Sequence, residues 1–327
     1  MSRQITYIFR RRLPQYNSIE EIFLSVKVEM SKTHPTGTVE MANMGAGPST
    51  LIRNLFDLKR RSNNIYHITG DVHYMAIATG KNSVLTIHDV KSAKSGNPLK
   101  DLYIKLFWFW LPAIFVKRIT VISNFTRIEL EQIIPFAKHK IRVVYNPIKG
   151  ELKPTTYNFR VEKPRILLIG TKPNKNLERT FEALEKINCD LTIVGKLSEN
   201  QLELLKKHNL QFTNKMNLPY SEIITCYENC DMLCFASTYE GFGMPIIEAQ
   251  SIGRPVLTSE IGAMLEVAND SACLVNPYNV NSIRDGIQRI LADEAYRHNL
   301  IEQGFENVKR FQLQNIVNQY INVYKEI

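Results

Sequence analysis

The sequence has 327 residues, of which 44% are hydrophobic and 22% are charged, and this balance excludes a disordered chain and a repetitive fibre. Its length predicts two domains, because a domain holds about 150 residues on average. The net charge is +9, and the whole excess lies in residues 1–150, where 22 basic and 10 acidic residues give +12, whereas the remainder carries −3. A localised basic excess predicts an anionic partner, such as nucleic acid, an anionic membrane surface or a phosphorylated substrate, with a merely soluble basic surface as the alternative.

The predicted elements alternate between strands and helices along the chain. In the first half the candidate strands are 5–9, 65–69, 83–88, 119–123 and 141–145, and the candidate helices are 19–30, 49–61, 100–111 and 124–134. In the second half the candidate strands are 165–170, 191–195, 232–236, 255–259 and 272–275, with helices between them, among these 198–208 and 221–228. Ser123 is a suitable N-cap for the helix that follows it. This alternation predicts an α/β fold with parallel sheets and helices on both faces.

The chain is expected to form two doubly wound domains. The first spans 1–152 and the second 160–310, and a helix at 312–327 is expected to pack back on the first. Ligands of such sheets bind beyond the carboxyl ends of the strands, so the natural site is the cleft between the two domains. No stretch reaches the roughly 18 apolar residues of a spanning helix. The expected location is therefore cytoplasmic, with peripheral association at the inner face of a membrane left open.

An aromatic run in the first half allows two interpretations. It comprises Phe107, Trp108, Phe109, Trp110 and Phe115. As helix core it would face the sheet, although adjacent aromatic residues do not share one helix face. As a membrane-contacting surface it would use Trp108 and Trp110 for apolar contact and nearby cations for anionic lipid. The cations in question are Arg10, Arg11, Arg12, Arg53, Lys59, Arg60, Arg61, Lys94, Lys100, Lys105, Lys117 and Arg118.

The most informative chemistry follows a buried strand of the second half. Residues 239–249 read Tyr-Glu-Gly-Phe-Gly-Met-Pro-Ile-Ile-Glu-Ala. Glycines such as Gly243 let backbone approach a ligand closely, and Pro245 suits the start of a helix, whose free amides form an anion site. Glu240 and Glu248 flank that site. Two carboxylates beside a phosphate site make sense when the ligand also carries hydroxyl groups, as a sugar nucleotide does.

A second segment joins the first strand of this domain to its first helix. Residues 169–177 read Ile-Gly-Thr-Lys-Pro-Asn-Lys-Asn-Leu. Lys172 and Lys175 are placed to reach a diphosphate at the same edge of the sheet, whereas a solvated lysine loop is the plainer alternative. Lys175 precedes Glu240 by 65 residues within one α/β domain, and the two segments together favour a phosphate-binding site.

These motifs resemble those of the family 4 glycosyltransferases, retaining enzymes with the GT-B fold. The family's Glu-x7-Glu signature is matched at Glu240 and Glu248, and its diphosphate-binding lysine at Lys175, which is followed by asparagine. A later motif of the family begins with Glu-Val and ends, six residues further on, with Leu-Val-x-Pro. It is matched from Glu266 to Pro277. The resemblance implies two Rossmann-like domains facing each other across a cleft. It further implies transfer of a hexose from a UDP- or GDP-linked donor to a hydroxyl of a glycan or lipid-linked acceptor, as in cell-surface polysaccharide assembly.

The resemblance also implies a role for each matching residue. Lys175 would contact the donor diphosphate, Glu248 the ribose of the nucleotide, and Glu240 the transferring sugar. His88 would face that sugar from the first domain. The other donor-binding residues would be Gly170, Thr171, Lys172, Phe242, Gly243 and Met244. The resemblance implies no bound metal, the sequence contains no Asp-x-Asp, and no cofactor is expected.

Several alternatives remain beside this interpretation. The family often has an arginine where Thr171 stands, so a non-catalytic nucleotide-binding partner subunit is one alternative, although Lys172 is a candidate replacement. A nucleotide-sugar epimerase of the same fold is another. Dinucleotide binding is disfavoured, because Ile246 stands where the third glycine of that motif belongs. Nucleic-acid binding is disfavoured too, since neither a base-stacking module nor a recognition helix is found on the basic half.

Overall fold

The computed structural model describes residues 3–11, 18–58, 63–93 and 96–327. The chain divides into two units. The first comprises Met1–Pro147 together with Gln312–Ile327, and the second comprises Ile148–Phe311. The C-terminal segment therefore returns to the unit in which the chain begins.

The first unit is built on a six-stranded parallel sheet. Its strands are β1 (Gln4–Phe9), β2 (Thr36–Glu40), β3 (Asn64–Ile68), β4 (Ser83–Ile87), β5 (Arg118–Val121) and β6 (Ile141–Val143). They lie in the order β2-β1-β3-β4-β5-β6. The sequence patterns miss β2 because this edge strand, Thr-Gly-Thr-Val-Glu, has no buried residue and so no apolar run.

Helices cover this sheet. They are α1 (Ser18–Met30), α2 (Pro48–Asp57), α3 (Ala76–Thr79), α4 (Pro98–Ile104), α5 (Leu111–Phe115) and α6 (Asn124–Ile133), and a π-helical segment, Lys105–Trp110, joins α4 to α5. The predicted cap of α6 is confirmed, since Ser123 Oγ accepts a hydrogen bond from the Thr126 N–H at 3.0 Å. Among the described residues, no helix combines the length and hydropathy of a membrane-spanning segment.

The aromatic run lies mostly in the core. Trp108 and Phe109 expose 8% and 1% of their surface and belong to the core cluster. The indole N–H of Trp108 donates to the Asp71 carbonyl oxygen at 3.0 Å, and Trp110 packs against the same cluster. The expectation that the two tryptophans supply apolar contact to a membrane is therefore wrong for Trp108. For Trp110, which is half-buried and donates its indole N–H to the Ile133 carbonyl at 2.9 Å, it stays a prediction. Burial and hydrogen bonding hold the first indole inside the unit.

The second unit repeats the architecture with another six-stranded parallel sheet. Its strands are β7 (Arg165–Ile169), β8 (Asp190–Val194), β9 (Gln211–Lys215), β10 (Met232–Phe235), β11 (Val256–Ser259) and β12 (Cys273–Val275). They lie in the order β12-β11-β10-β7-β8-β9. The polar edge strand β9, like β2, has no buried residue and is missed by the sequence patterns.

The helices of the second unit are α7 (Leu177–Leu184), α8 (Glu199–Lys207), α9 (Tyr220–Glu228), α10 (Met244–Ile252), α11 (Gly262–Ala268), α12 (Val280–Ala292) and α13 (Glu294–Val308). The last helix, α14 (Leu313–Lys325), belongs to the first unit and packs against α1. Because β7 and β10 are neighbours in a parallel sheet, the loops that follow them meet at its carboxyl edge.

A buried polar network fastens α14 to the first sheet. His67 Nδ1 lies 2.6 Å from the Tyr324 hydroxyl, and His67 Nε2 lies 2.7 Å from Thr86 Oγ1. His67 is fully buried, and burial lowers its pKa to about 3. The imidazole is therefore neutral at physiological pH and serves as a structural hydrogen-bonding group.

Candidate active site

The two motif loops of the second unit meet through an ion pair. Lys175 Nζ lies 2.7 Å from Glu240 Oε1, and the two side chains are only 17% and 16% exposed. The Asn174 amide donates to the same carboxylate oxygen at 3.1 Å and to the Tyr239 carbonyl at 2.9 Å. In the described part of the chain no hydrogen bond reaches Glu240 Oε2. This oxygen remains available to accept from a ligand hydroxyl.

The position of Lys175 depends on a glycine. Gly170 follows β7 with a φ of +87°, a region that favours glycine, and a Cβ built there would lie 2.6 Å from Lys175 Cε. The ammonium lies 4.5 Å from the centroid of the Phe235 ring, at the end of β10. The missing side chain at Gly170 thus leaves the space in which the lysine stem lies. An ammonium has three donors, so Lys175 can hold Glu240 and a phosphate oxygen together.

The structure explains why an asparagine, Asn176, follows the lysine. Its backbone is left-handed, with φ 59°, a conformation that asparagine tolerates better than most residues. The buried side chain donates to the Ala236 carbonyl at 3.0 Å and to the Pro277 carbonyl at 2.7 Å. It therefore ties the lysine loop to the segments that follow β10 and β12. The sequence indicates that an asparagine belongs at this position, but it does not show that the side chain links these loops.

The start of α10 presents a backbone donor at the same sheet edge. Gly243 precedes the helix with φ +113°, no side chain caps it, and Pro245 stands in its first turn. Pro245 has no N–H, and the Ile246 N–H donates to the Gly243 carbonyl at 3.0 Å. The Met244 N–H is therefore the first-turn donor that can meet a ligand, and the helix dipole adds positive character there. Phe242 is 3% exposed and packs edge-on against the Phe311 ring. Met244, the first residue of α10, is half-buried.

Glu248 is held by two tyrosines. It is 8% exposed, its Oε2 accepts from the Tyr227 hydroxyl at 2.7 Å, and its Oε1 accepts from the Tyr220 hydroxyl at 3.3 Å. Tyr227 is fully buried, and burial together with the neighbouring Glu248 raises its pKa well above the usual value. The phenol therefore stays protonated and donates to the carboxylate. Sequence reasoning missed both tyrosines because they precede Glu248 by 21 and 28 residues without any motif.

Thr171 and Lys172 differ in their surroundings. The Thr171 hydroxyl donates to the Lys196 carbonyl at 2.6 Å, and its own carbonyl accepts from the Gln201 amide at 3.1 Å. The threonine thus joins the loops after β7 and β8, and its hydroxyl proton is engaged. Lys172 is exposed. The exposed Lys172, and not the neutral Thr171, is therefore the residue of this pair that offers positive charge to a bound anion.

The first unit contains a cavity at the carboxyl edge of its own sheet. It measures about 520 Å³, and His73 and His88 line it together with Arg10 and Asp71. His88 Nε2 donates to the Thr69 carbonyl at 2.9 Å, which leaves Nδ1 as an acceptor. Burial lowers the pKa of His88. The predicted histidine is therefore a neutral group at the wall of a cavity.

Arg10 is engaged within the first unit. Its guanidinium lies 2.6 Å from Glu20 and 2.6 Å from Asp71, so much of its charge is compensated internally. Arg11, Arg53, Lys100 and Lys117 are exposed, whereas Arg118 pairs with Glu326. The basic residues Arg12, Lys59, Arg60, Arg61 and Lys94 lie outside the described residues.

Metal-ligating side chains do not cluster in the described ranges. Within residues 3–11, 18–58, 63–93 and 96–327, no group of three or more histidine, cysteine, aspartate or glutamate side chains has the arrangement of a metal site. The five cysteines are buried as free thiols. The expectation of a metal-independent site is a statement about activity and stays a prediction.

Comparison with known proteins identifies relatives of both sequence and fold. The family described as glycosyl transferases group 1 matches residues 152–307. An uncharacterised glycosyltransferase of Methanocaldococcus jannaschii is 24% identical over 252 residues, or 75% of this chain and 68% of that protein. The O-antigen chain mannosyltransferase RfbU of Salmonella typhimurium is 25% identical over 249 residues, or 70% of this chain and 68% of its own. Against the O-antigen chain mannosyltransferase B of Escherichia coli, the match spans only 28% of the relative.

The fold is similar to that of solved structures. The structure of Anabaena HepE in complex with UDP and glucose superposes with a TM-score of 0.79 at 14% identity, covering 98% of this chain and 100% of that one. At this identity the likeness concerns the fold alone. Two parallel sheets with interleaved helices, each in its own unit, account for it.

Proposed function

We propose that this chain, which belongs to the group 1 glycosyl transferases and is a glycosyltransferase, moves a hexose from a nucleotide sugar to a hydroxyl acceptor. Its fold is GT-B, with two Rossmann-like domains. The donor would be UDP- or GDP-linked, the acceptor a glycan or a lipid-linked sugar, and the product part of a surface polysaccharide. The O-antigen mannosyltransferase among the relatives supports the last point by its name alone.

One observation carries the proposal: the Lys175–Glu240 ion pair lies at the carboxyl edge where the uncapped start of α10 also lies. A nucleotide sugar carries a diphosphate and hydroxyl groups, so it needs cationic donors and acceptor oxygens within one site. The ammonium and the Met244 N–H at the start of α10 suit the diphosphate. Glu240 Oε2 and the carboxylate of Glu248 suit sugar and ribose hydroxyls.

The chemistry that these groups support is departure of the nucleoside diphosphate from the sugar. As the bond between the anomeric carbon and the phosphate oxygen breaks, negative charge accumulates on the leaving diphosphate. Lys175 and the Met244 N–H would stabilise that charge, and preorganised donors of this kind are worth about 2–4 kcal/mol of barrier each. No protein nucleophile is proposed, and the anomeric configuration is proposed to be retained.

His88 keeps its proposed role at the sugar. As a neutral imidazole with Nδ1 as acceptor, it can receive a hydrogen bond from a hydroxyl. A group of this kind orients a substrate without adding charge. The proposal for His88 rests on the family resemblance and on the position of the residue at the cavity wall.

Thermal-shift measurements against UDP- and GDP-linked hexoses test the donor. A bound donor stabilises the folded state by mass action and so raises the unfolding temperature. The stabilisation is about 2.7 kcal/mol when the donor concentration is one hundred times Kd. We expect one donor class to stabilise the wild type and to have little effect on a Glu248→Ala variant. If every donor shifted the unfolding temperatures of the two proteins equally, the proposed contact between Glu248 and the ribose would be refuted.

Incubation with the stabilising donor alone separates transfer from epimerisation. An epimerase would convert the donor sugar without an acceptor, whereas a transferase would leave it largely unchanged until a hydroxyl acceptor is added. A non-catalytic subunit would bind the donor and release no nucleoside diphosphate under either condition. Nuclear magnetic resonance of the product linkage would report whether the anomeric configuration is retained.

A further inference from the structure

His73 lines the cavity of the first unit and has no role in the proposed transfer. Its side chain is buried, and its ring packs edge-on against the Phe109 ring, with the two centroids 5.9 Å apart. The ring donates from Nδ1 to the Trp108 carbonyl oxygen at 2.8 Å, because a carbonyl oxygen only accepts. Burial lowers the pKa of His73, so the imidazole is neutral at physiological pH. Nε2 of this ring is therefore an acceptor.

The aromatic run holds His73 in this tautomer. The carbonyl that accepts its proton belongs to Trp108, in the π-helical segment Lys105–Trp110. Pro112, four residues later, lacks the N–H that would donate to this carbonyl in an α-helix. The Trp108 indole donates in turn to the Asp71 carbonyl at 3.0 Å, two residues before the histidine. Short π-helical segments are frequent at functional sites, and this one fixes the orientation of a histidine in a cavity wall.

Two acceptor nitrogens are offered to the same cavity. In the described part of the chain no hydrogen bond reaches His73 Nε2. His88, which lines the cavity too, donates from Nε2 to the Thr69 carbonyl and so presents Nδ1 as its acceptor. The two neutral imidazoles have opposite tautomers, and each leaves one nitrogen for a donor. A ligand that satisfies both nitrogens has to carry hydroxyl or N–H groups.

The charged groups that line the cavity cancel one another. Among the described residues they are Arg10 and Arg11 against Asp71 and Asp89. The Arg10 guanidinium is shared between Glu20 and Asp71, at 2.6 Å from each. A phosphate dianion, moreover, has no proton to donate to the two imidazole nitrogens. The basic excess of the first half of the chain therefore does not make this cavity an anion site.

The remaining walls of the cavity suit a sugar ring. Trp108 and Tyr74, whose ring centroids are 5.6 Å apart, line it together with Val72 and Ile104. The volume of about 520 Å³ lies within the ~300–1,000 Å³ of small-molecule sites, which combine apolar and aromatic walls with a few placed polar groups. A pyranose has the matching character, with C–H groups on its faces and hydroxyl groups around its edge.

We propose that His73 binds a hydroxyl group of the acceptor through Nε2, and that the cavity takes an uncharged sugar in preference to a phosphorylated one. That this sugar is the acceptor rests on the proposed function, whereas its binding in the cavity does not depend on transfer. His88 keeps its proposed place at the transferring hexose. Each of the two histidines then holds a hydroxyl group of one partner in the reaction.

Nuclear magnetic resonance of the full chain, labelled with nitrogen-15 in its histidines, tests the site without any donor. Long-range proton–nitrogen spectra distinguish protonated from unprotonated ring nitrogens, and the His73→Asn variant identifies the signals of His73. We expect His73 to carry its proton on Nδ1. The probes are the methyl glycosides of D-mannose, D-glucose, D-galactose and N-acetyl-D-glucosamine, with inorganic phosphate as the anion. At least one glycoside should shift the Nε2 signal, and phosphate should leave it unchanged.

Two substitutions of His73 separate binding from a structural role. Asparagine carries an N–H near the position of Nδ1, so His73→Asn keeps a donor to the Trp108 carbonyl and removes the acceptor nitrogen. Its affinity for the glycoside should fall about 2- to 12-fold, which corresponds to one hydrogen bond between neutral groups. Glutamine carries an amide oxygen near the position of Nε2, so His73→Gln should recover part of the loss. The matched control, His139→Asn, changes an exposed histidine of the same unit and should bind as the wild type does.

Transfer to the same glycoside tests the assignment to the acceptor. His73→Asn should raise KM for the glycoside about 2- to 12-fold and leave the thermal shift caused by the donor unchanged. If no glycoside receives a hexose although one shifts the Nε2 signal, the proposed function fails and the sugar site remains. If transfer proceeds with an unchanged KM in a folded His73→Asn variant, the present inference fails and the transfer remains. Circular dichroism spectra would establish that the variants are folded.

Three results would overturn the proposal. The first is a proton on Nε2 of His73 in place of Nδ1, or an Nε2 signal that phosphate shifts and no glycoside does. The second is a His73→Asn variant that binds the glycoside as tightly as the wild type. The third is a His73→Asn variant whose affinity for the donor falls as much as its affinity for the glycoside, because the nitrogen would then meet the transferring hexose.

Discussion

Replacing Lys175 by alanine should lower kcat steeply while the protein stays folded. The ammonium is the cation of the candidate site that pairs with Glu240, at 2.7 Å. Losing a preorganised donor to the leaving group raises the barrier by about 2–4 kcal/mol, which is about 30- to 800-fold in rate. The effect on KM should be smaller, because charge on the diphosphate increases as the bond breaks.

The cost in stability should be small by comparison. Both partners of the ion pair retain some exposure, 17% and 16%, and Asn174 continues to donate to the Glu240 carboxylate. A partly exposed pair is worth about 1 kcal/mol or less. For a domain of this size that corresponds to a fall in Tm of about 2–4 °C. Activity and stability can therefore be separated.

Steady-state release of nucleoside diphosphate at saturating donor measures the effect. Lys175→Met keeps the aliphatic stem that packs at Gly170 and removes only the charge, so it should lose as much kcat as Lys175→Ala. Lys186→Ala, an exposed lysine in the same unit, is the matched control and should be unaffected. Wild-type kcat in Lys175→Ala would remove this residue from the mechanism.

A second explanation of the loss is that Glu240, left unpaired, repels the donor. The Lys175→Ala/Glu240→Gln double variant distinguishes the two. If repulsion were the cause, neutralising Glu240 would restore much of the activity. We predict no restoration, because the positive charge at the leaving group would still be missing.

The remaining predictions concern the other carboxylate, its tyrosine, metal ions and pH. Glu248→Gln should mainly raise KM for the donor, whereas Glu240→Gln should mainly lower kcat, since a ribose contact is equal in ground and transition states; the same pattern in both variants would refute the division of roles. Tyr227→Phe should raise KM about tenfold with kcat nearly unchanged, because a hydrogen bond to a charged group worth about 1.5 kcal/mol orients Glu248; a wild-type KM would make Tyr227 merely structural. Activity should persist in excess EDTA, and complete loss that Mg²⁺ or Mn²⁺ restores would contradict a metal-independent reaction. Burial lowers the pKa of His67 to about 3 and also lowers those of His73 and His88. The unfolded chain therefore binds more protons than the folded chain below about pH 6.5. The contribution of the neutral histidines to the unfolding free energy is fully present above that pH. It should fall as the pH drops toward 3, by up to about 1.4 kcal/mol per pH unit for each histidine. Urea midpoints that stay constant between about pH 7 and pH 5 would refute this.

The interior of the fold could be predicted because buried parallel strands are continuous apolar runs. The strands β7 (Arg-Ile-Leu-Leu-Ile) and β4 (Ser-Val-Leu-Thr-Ile) show this pattern. The edge strands β2 and β9 pair on one side only and bury no residue, so their polar sequences resemble loops. Local patterns thus indicate what lies inside a sheet and not where the sheet ends.

The candidate site also has a part that the sequence predicts and a part that it does not. Lys175 and Glu240 could be placed at one sheet edge because each follows a parallel strand, and the structure joins them by an ion pair. The tyrosine contacts of Glu248 depend on how α9 packs against α10, which no local pattern records. The tryptophan at 108 was open between core and membrane because hydropathy alone does not give the direction of a side chain.

The central claim is that the second unit binds a nucleotide sugar through Lys175 and Glu248. Isothermal titration calorimetry of the wild type with UDP- and GDP-linked hexoses tests it most directly. We predict that a donor binds with a stoichiometry of one, and that Glu248→Ala and Lys175→Ala each weaken this binding. Absence of binding to every donor, or affinity unchanged in both variants, would contradict the account.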